Sequence, residues 1–170
     1  MMNLQTFPIL ITDRFTLRKL SKNDSEEILQ LRSDKEINKF LDRKLSKTLE
    51  DALNFIDNII ENDDLFYWAI TKTDENKLIG TICLFDFIED SKKCEIGYEL
   101  LTQYQGQGVM SEAAKKVIDY AGKTLGIKII NAQTHKENQS STKLLEKLNF
   151  KKLESVVEDN PNLILLRLTI

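Results

Sequence analysis

Residues 104–121 read YQGQGVMSEAAKKVIDYA. Two glycines one residue apart lead straight into a helical pattern, and the apolar run CEIGYELL, Cys94 to Leu101, precedes them. A glycine turn between a strand and a helix leaves the N–H groups of the first helical turn pointing out of the end of a sheet. Those donors and the helix dipole make an anion site. Gly106 and Gly108 allow a phosphate to approach the backbone without a side chain in the way. The helix has one apolar face, formed by Ala113, Ala114, Val117, Ile118, Ala121 and Leu125. Two phosphate motifs fail here. A P-loop needs Gly-Lys-Ser/Thr, and Gly108 is followed by Val109 and Met110. A dinucleotide fingerprint needs a third glycine or alanine where this chain has Ser111, and it should follow the first strand of a parallel sheet. A purely structural turn is the plain alternative.

Working outward, the C-terminal side continues as strand IKIINAQT, a helix from Gln139 to Leu148, strand FKKLESVV, the turn EDNPN and strand LILLRLTI. On the N-terminal side, LFYWAITK and KLIGTICLFDF flank the turn-like TDEN as an antiparallel hairpin. Earlier still, FTLRKL alternates as a first strand. Ser21 with Asp24, and Thr48 with Asp51, mark helix starts, and SDKEINKFL reads as a short helix between them. Antiparallel hairpins followed by βαβ connections predict a mixed α/β sheet.

The chain of 170 residues fits one domain, residues 1–170, large enough to fold without metal or disulfide. A net charge of −3 argues against a general nucleic-acid binder. Cys83 and Cys94 lie in strand-like runs without metal-ligand spacing and read as buried, reduced thiols of a cytoplasmic protein. Neither a signal peptide nor a membrane span is expected.

The segment CEIGYELLTQYQGQGVMSEAA, Cys94 to Ala114, resembles the acetyl-CoA-binding segment of GNAT N-acetyltransferases, with Gln105-Gly106-Gln107-Gly108-Val109-Met110 across the turn. Met110 departs from the small residue usual at its position. ENQSSTKLLEKLNF, Glu137 to Phe150, resembles a second block of that family, with Asn149 where glycine is common; Asn tolerates a left-handed helix cap. ITDRFTLRKL and TLEDALNFI resemble the RimJ/RimL-like branch, which includes ribosomal-protein N-terminal acetyltransferases. The resemblance implies a single-domain GNAT-like fold: a mixed, mostly antiparallel sheet of about six to seven strands, about four flanking helices and splayed central strands.

It also implies acetyl-CoA as cosubstrate, no metal, and an amine acceptor. Main-chain groups near Leu100 and Leu101 would pair with pantetheine, and N–H groups from Gln105 to Met110 would hold the pyrophosphate. Gln107 stands where a cation is frequent, so backbone donors would carry more of that site. Glu95 is the first candidate for the base and Glu99 the second; the alternative for Glu95 is a structural or merely solvated carboxylate. On a regular strand the two would share a face, and a bulge would separate them. Ser141 is the candidate acid, or else only part of a helix start. Asn138 would bond pantetheine or cap that helix. An N–H near Leu101 is the expected oxyanion donor. His135 reads as a surface residue, Tyr67 and Trp68 as core, and Lys143 and Lys147 as either partners of the CoA 3′-phosphate or a solvated face. The acceptor implied is a protein N-terminus, with a small amine (polyamine, amino acid or antibiotic) as the runner-up and a non-catalytic acyl-CoA sensor as a third reading. LILLRLTI would pair across a homodimer or be buried in a monomer.

Overall fold

The strand patterns of the sequence become one sheet, because each strand finds its partner through a short connection or through a helix that covers a face. The computed structural model describes residues 6–154 and 160–170. Its strands are β1 (Leu10–Ile11), β2 (Phe15–Lys19), β3 (Phe66–Lys72), β4 (Leu78–Ile88), β5 (Lys93–Leu100), β6 (Ile129–His135), β7 (Lys151–Lys152) and β8 (Leu163–Thr169). Its α-helices are α1 (Ser25–Ser33), α2 (Leu49–Ile60), α3 (Val109–Lys123) and α4 (Gln139–Lys147). The sheet runs β1-β2-β3-β4-β5-β6-β8-β7. All neighbours are antiparallel except β5 and β6. The eighth strand, beyond the seven read from the sequence, is the two-residue piece β1.

One face of the sheet is covered by α3 and α4. Ala113, Ala114, Val117 and Ala121 of α3 pack in the cluster that holds Trp68, Ile82, Ile96 and Ile130. The other face is covered by α1 and α2, where Ile28, Leu31, Ala52 and Ile56 meet Tyr67, Ala69 and Leu101. Trp68 and Tyr67 are therefore core residues on opposite faces, as strand alternation requires. Both expected helix starts form reciprocal capping boxes. Ser21–Asp24 opens a 3₁₀ turn that runs into α1, and Thr48–Asp51 opens α2. Buried Asp24 also takes two hydrogen bonds from the Arg18 guanidinium, at 2.9 and 2.7 Å.

Two expectations change. Past Ser33, the last residue of α1, the stretch SDKEINKFL is a series of turns, not a second helix. Asp34 leaves the helical region at ψ 123, and its Oδ1 accepts from the N–H groups of Glu36 and Ile37. Buried Asn38 then donates to the carbonyls of Leu31 and Asp34. Short polar side chains have replaced backbone partners, the competition that disfavours Asp and Asn inside helices. Among the described residues, the strand read at FKKLESVV covers Lys151–Lys152; Ser155–Val157 and the first part of the EDNPN turn lie outside the described residues. LILLRLTI forms β8, which sits inside the sheet between β6 and β7.

Gly80 fixes how closely β4 approaches β5. A Cβ there would lie 2.6 Å from the Glu99 carbonyl oxygen and 2.8 Å from Leu100 Cδ1. Because backbone cannot yield as a flexible side-chain tip can, we expect Gly80→Ala to cost about 1–3 kcal/mol, measured as a lower urea midpoint with an unchanged slope.

Candidate active site

The parallel pairing of β5 with β6 covers only Lys93–Glu95 against Ile129–Asn131. Beyond it, β5 stays with β4 as far as Leu100, and β6 stays with β8 as far as His135. The strands part, and a cleft of about 1030 Å³ opens between them. Tyr98, Glu99 and Leu100 line one side, and Gln133, Thr134 and His135 the other. The turn segment from Glu36 to Asp42 borders its mouth. The Leu101 N–H donates to the Ile79 carbonyl at 3.0 Å. Antiparallel alternation then turns the N–H and C=O of Glu99 toward β4 and those of Tyr98 and Leu100 toward the gap. The expected oxyanion donor near Leu101 is thereby narrowed: the Leu101 N–H is already bonded and Leu101 is buried, whereas Leu100 lines the cleft.

The glycine turn closes one end of the cleft. Gly106 has φ 72 and Gly108 φ 76, left-handed values that a side chain would strain. Gly108 is the N-cap of α3 and uses no side-chain cap, so the first N–H groups of the helix are not taken by one. Gln105, Gly106, Gly108, Val109 and Met110 line the cleft. The Gln105 amide donates to the Leu100 carbonyl at 3.2 Å. Met110 is buried in the core beneath the turn, so its bulk is directed inward and the left-handed glycines keep their geometry. Gln107 is different. Its side chain donates to the Gln103 carbonyl at 2.9 Å, and Gln107 lines a separate groove behind the turn.

Glu95 and Glu99 share a face, because β5 pairs regularly with β4 between them; the register shift lies outside that interval, between Phe85 and Ile88. Their surroundings differ. Glu99 lines the cleft and is ion-paired with Arg43, whose Nε is held by Asn38 Oδ1 at 2.7 Å. Burial and neighbouring Arg43 push the Arg32 guanidinium below its ordinary value, and the charge of Glu99 opposes that shift. Glu99 therefore offsets guanidinium charge, a structural duty that competes with service as a base. Glu95 sits at the apex of the splay, behind the lining residues. Burial raises its pKa above the ordinary carboxylate value, and the Gln133 amide, 3.3 Å from both carboxylate oxygens, opposes that shift. Gln133 itself faces the cleft.

On the opposite face of β5, Tyr98 Oη lies 2.8 Å from Ser141 Oγ. Burial pushes the Tyr98 phenol up to about 12, so it stays protonated at neutral pH. Asn138 caps α4, accepting from the Ser141 N–H at 3.2 Å, and both residues also line the cleft. Asn149 adopts φ 68 just past α4, the left-handed cap that its position required. Of the two lysines, Lys147 lines the cleft and Lys143 does not. His135 is not the surface residue expected. Its side chain is 19% exposed, stacks on Phe40 at 5.1 Å and forms part of the cleft wall. Tyr98, Arg43 and Gln133 were missed because their partners lie 43, 56 and 38 residues away, so no local spacing marks them. Both cysteines are free thiols that burial pushes up to about 12, and they are not nucleophiles at neutral pH. Among the described residues no cluster of three or more His, Cys, Asp or Glu side chains is arranged to hold a metal.

Replacing Gly108 by proline removes an N–H and demands a negative φ where the chain has +76. Binding of coenzyme A, the ligand implied by the resemblance, is expected to fall below detection by calorimetry, and retained tight binding would contradict the role of the turn.

Residues 14–151 match the family model described as an acetyltransferase (GNAT) domain. The chain is 35% identical over 158 residues to the uncharacterised N-acetyltransferase p20 of Bacillus licheniformis, covering 88% of this chain and 85% of that protein. It is 32% identical over 149 residues to the uncharacterised N-acetyltransferase YoaA of Bacillus subtilis, covering 86% and 84%. A 101-residue match at 31% identity, 59% of this chain and 52% of the relative, is to the [ribosomal protein uS5]-alanine N-acetyltransferase of Escherichia coli. Among solved structures, the GNAT-family acetyltransferase from Bacillus anthracis superposes with a TM-score of 0.84 at 22% identity, over 95% of this chain and 98% of that one. The splayed sheet, the glycine turn and these matches lead to one statement: this chain belongs to the GNAT family of acetyltransferases and is an N-acetyltransferase.

Proposed function

We propose that the chain transfers the acetyl group of acetyl-CoA to the α-amino group of a protein N-terminus. The observation that carries this reading is how little access the cleft gives to a base. Glu99 is engaged by Arg43, and Glu95 stands behind the cleft lining, against the Gln133 amide. Lysine, with a pKa near 10.4, is neutral at neutral pH in well under about one part in a thousand, whereas an α-amine near 7.7–8.0 is roughly a tenth neutral. A base held back from the cleft suits the second. The partial match to a ribosomal-protein N-terminal alanine acetyltransferase supports the same acceptor class, and ribosomal proteins are the natural first candidates.

In this reading pantetheine lies between β5 and β6, bonded to the main-chain groups of Tyr98 and the N–H of Leu100. The diphosphate rests on N–H groups of the Gly106–Met110 turn, and Lys147 is available to the 3′-phosphate. A Tyr98 or Leu100 N–H polarises the thioester carbonyl. The neutral amine attacks that carbon, the C–N bond forms and the C–S bond breaks. The amine's proton leaves toward Glu95, directly or through solvent, past the Gln133 amide that faces the cleft. The departing thiolate takes a proton from the Ser141 hydroxyl, which Tyr98 or solvent reprotonates.

The first test is CoA release from acetyl-CoA with a panel of acceptors, and acetylated product identified by mass. Peptides beginning with Ala or Ser should stimulate release, and the same peptides blocked at the α-amine should not. Stimulation by spermidine or an antibiotic alone would replace the acceptor class; CoA binding without any turnover across the panel would favour a sensor.

Two further outcomes follow from the residues. Ser141→Ala is expected to lower kcat by about 100-fold, with a much smaller change in the acetyl-CoA KM. In the pH profile, log(kcat/KM) should fall with unit slope below the acceptor's amine pKa. It should steepen at a second break above the ordinary carboxylate range, where Glu95, its pKa raised by burial, becomes protonated and can no longer accept. Glu95→Gln should lower the rate and remove only that second break.

A further inference from the structure

Glu112 stands in the first turn of α3, and its N–H closes the first helical hydrogen bond to the Gly108 carbonyl at 3.1 Å. A carboxylate there favours the helix by meeting its positive end. It also opposes any second anion at the same end. The chain answers this from 98 residues away. Arg14, between β1 and β2, donates its main-chain N–H to one Glu112 oxygen at 3.0 Å and its Nε to the other at 2.7 Å. Its Nη1 donates to the Gln107 carbonyl at 3.1 Å. Its own carbonyl accepts from the Thr73 N–H at 3.1 Å, which anchors the residue to the end of β3.

The contact with Gln107 fixes a direction as well as a charge. In a trans peptide the C=O and the following N–H point opposite ways. With the Gln107 carbonyl drawn toward Arg14, the Gly108 N–H points away from Arg14. Gly106 and Gly108 line the cleft, whereas Gln107 and Arg14 share the groove behind it. We propose that Arg14 is a positioning residue for acetyl-CoA: it cancels the charge of Glu112 and pulls the Gln107 carbonyl outward, so that the turn presents N–H groups and no net negative charge to the diphosphate. This inference rests on the reading that the turn holds that diphosphate.

The experiment compares acetyl-CoA with S-acetylpantetheine, which carries the thioester without the diphosphate. Arg14→Gln should raise the acetyl-CoA KM by about tenfold or more at low salt, less at high salt, with kcat changed little. It should leave kcat/KM for S-acetylpantetheine unchanged. Arg14→Gln/Glu112→Gln should recover most of the affinity, and Glu112→Gln alone should bind acetyl-CoA at least as well as the wild type. An unchanged acetyl-CoA KM in Arg14→Gln overturns the proposal. So does an equal loss for both thioesters with no recovery in the double variant, the mark of a merely structural contact. If the wild type itself does not distinguish the two thioesters, the diphosphate reading fails first and takes this inference with it.

Discussion

Everything functional in this fold depends on where one parallel pairing stops. After Glu95 and Asn131 the strands β5 and β6 have no further mutual register, although each continues. The reason is divided allegiance. β5 is held to β4 through Leu100, at a spacing that Gly80 permits, while β6 is held to β8 along all seven of its residues. Two halves of a twisted sheet that are each satisfied on their outer sides diverge on the inner one. The divergence leaves strand backbone without strand partners, a cost in a buried sheet and an asset where an amide-bearing ligand fills the gap.

The period of a β-strand then separates the chemistry. Glu95, Gly97 and Glu99 project to the face covered by α1 and α2, and Ile96 and Tyr98 to the face covered by α3 and α4. Carboxylates and hydroxyls thus reach the gap from opposite sides, and the Tyr98–Ser141 pair lies across the sheet plane from Arg43–Glu99. A thioester between the strands would meet its amine on one side and lose its thiolate on the other. The face that carries Glu99 is bordered by the least regular part of the chain, where Asp34 and Asn38 replace helical bonds with their own side chains, and Asn38 in turn holds Arg43.

Much of this was legible in the sequence, for local reasons. Strand alternation in FTLRK, capping boxes at Ser21 and Thr48, left-handed backbone at Gly106, Gly108 and Asn149, and the small apolar face of α3 are all decided within a few residues. They determined the order of elements and the glycine turn. Short range also explains the misreading at SDKEINKFL: the helical pattern was present, and only the folded chain shows Asn38 spending its amide on two carbonyls.

What the sequence determined by itself, then, was most of the elements and the turn able to take an anion, because φ preferences, caps and periodicity act between near neighbours. Only the tertiary structure decided which groups face the gap. Leu101 and Leu100 differ by one step of register, yet the first is bonded to Ile79 and the second lines the cleft. Glu95 and Glu99 look alike in sequence, yet one meets Gln133 and the other Arg43. Those contacts span 38 and 56 residues, and hydrogen bonds and charges act through space, along lines that exist only once the sheet has formed.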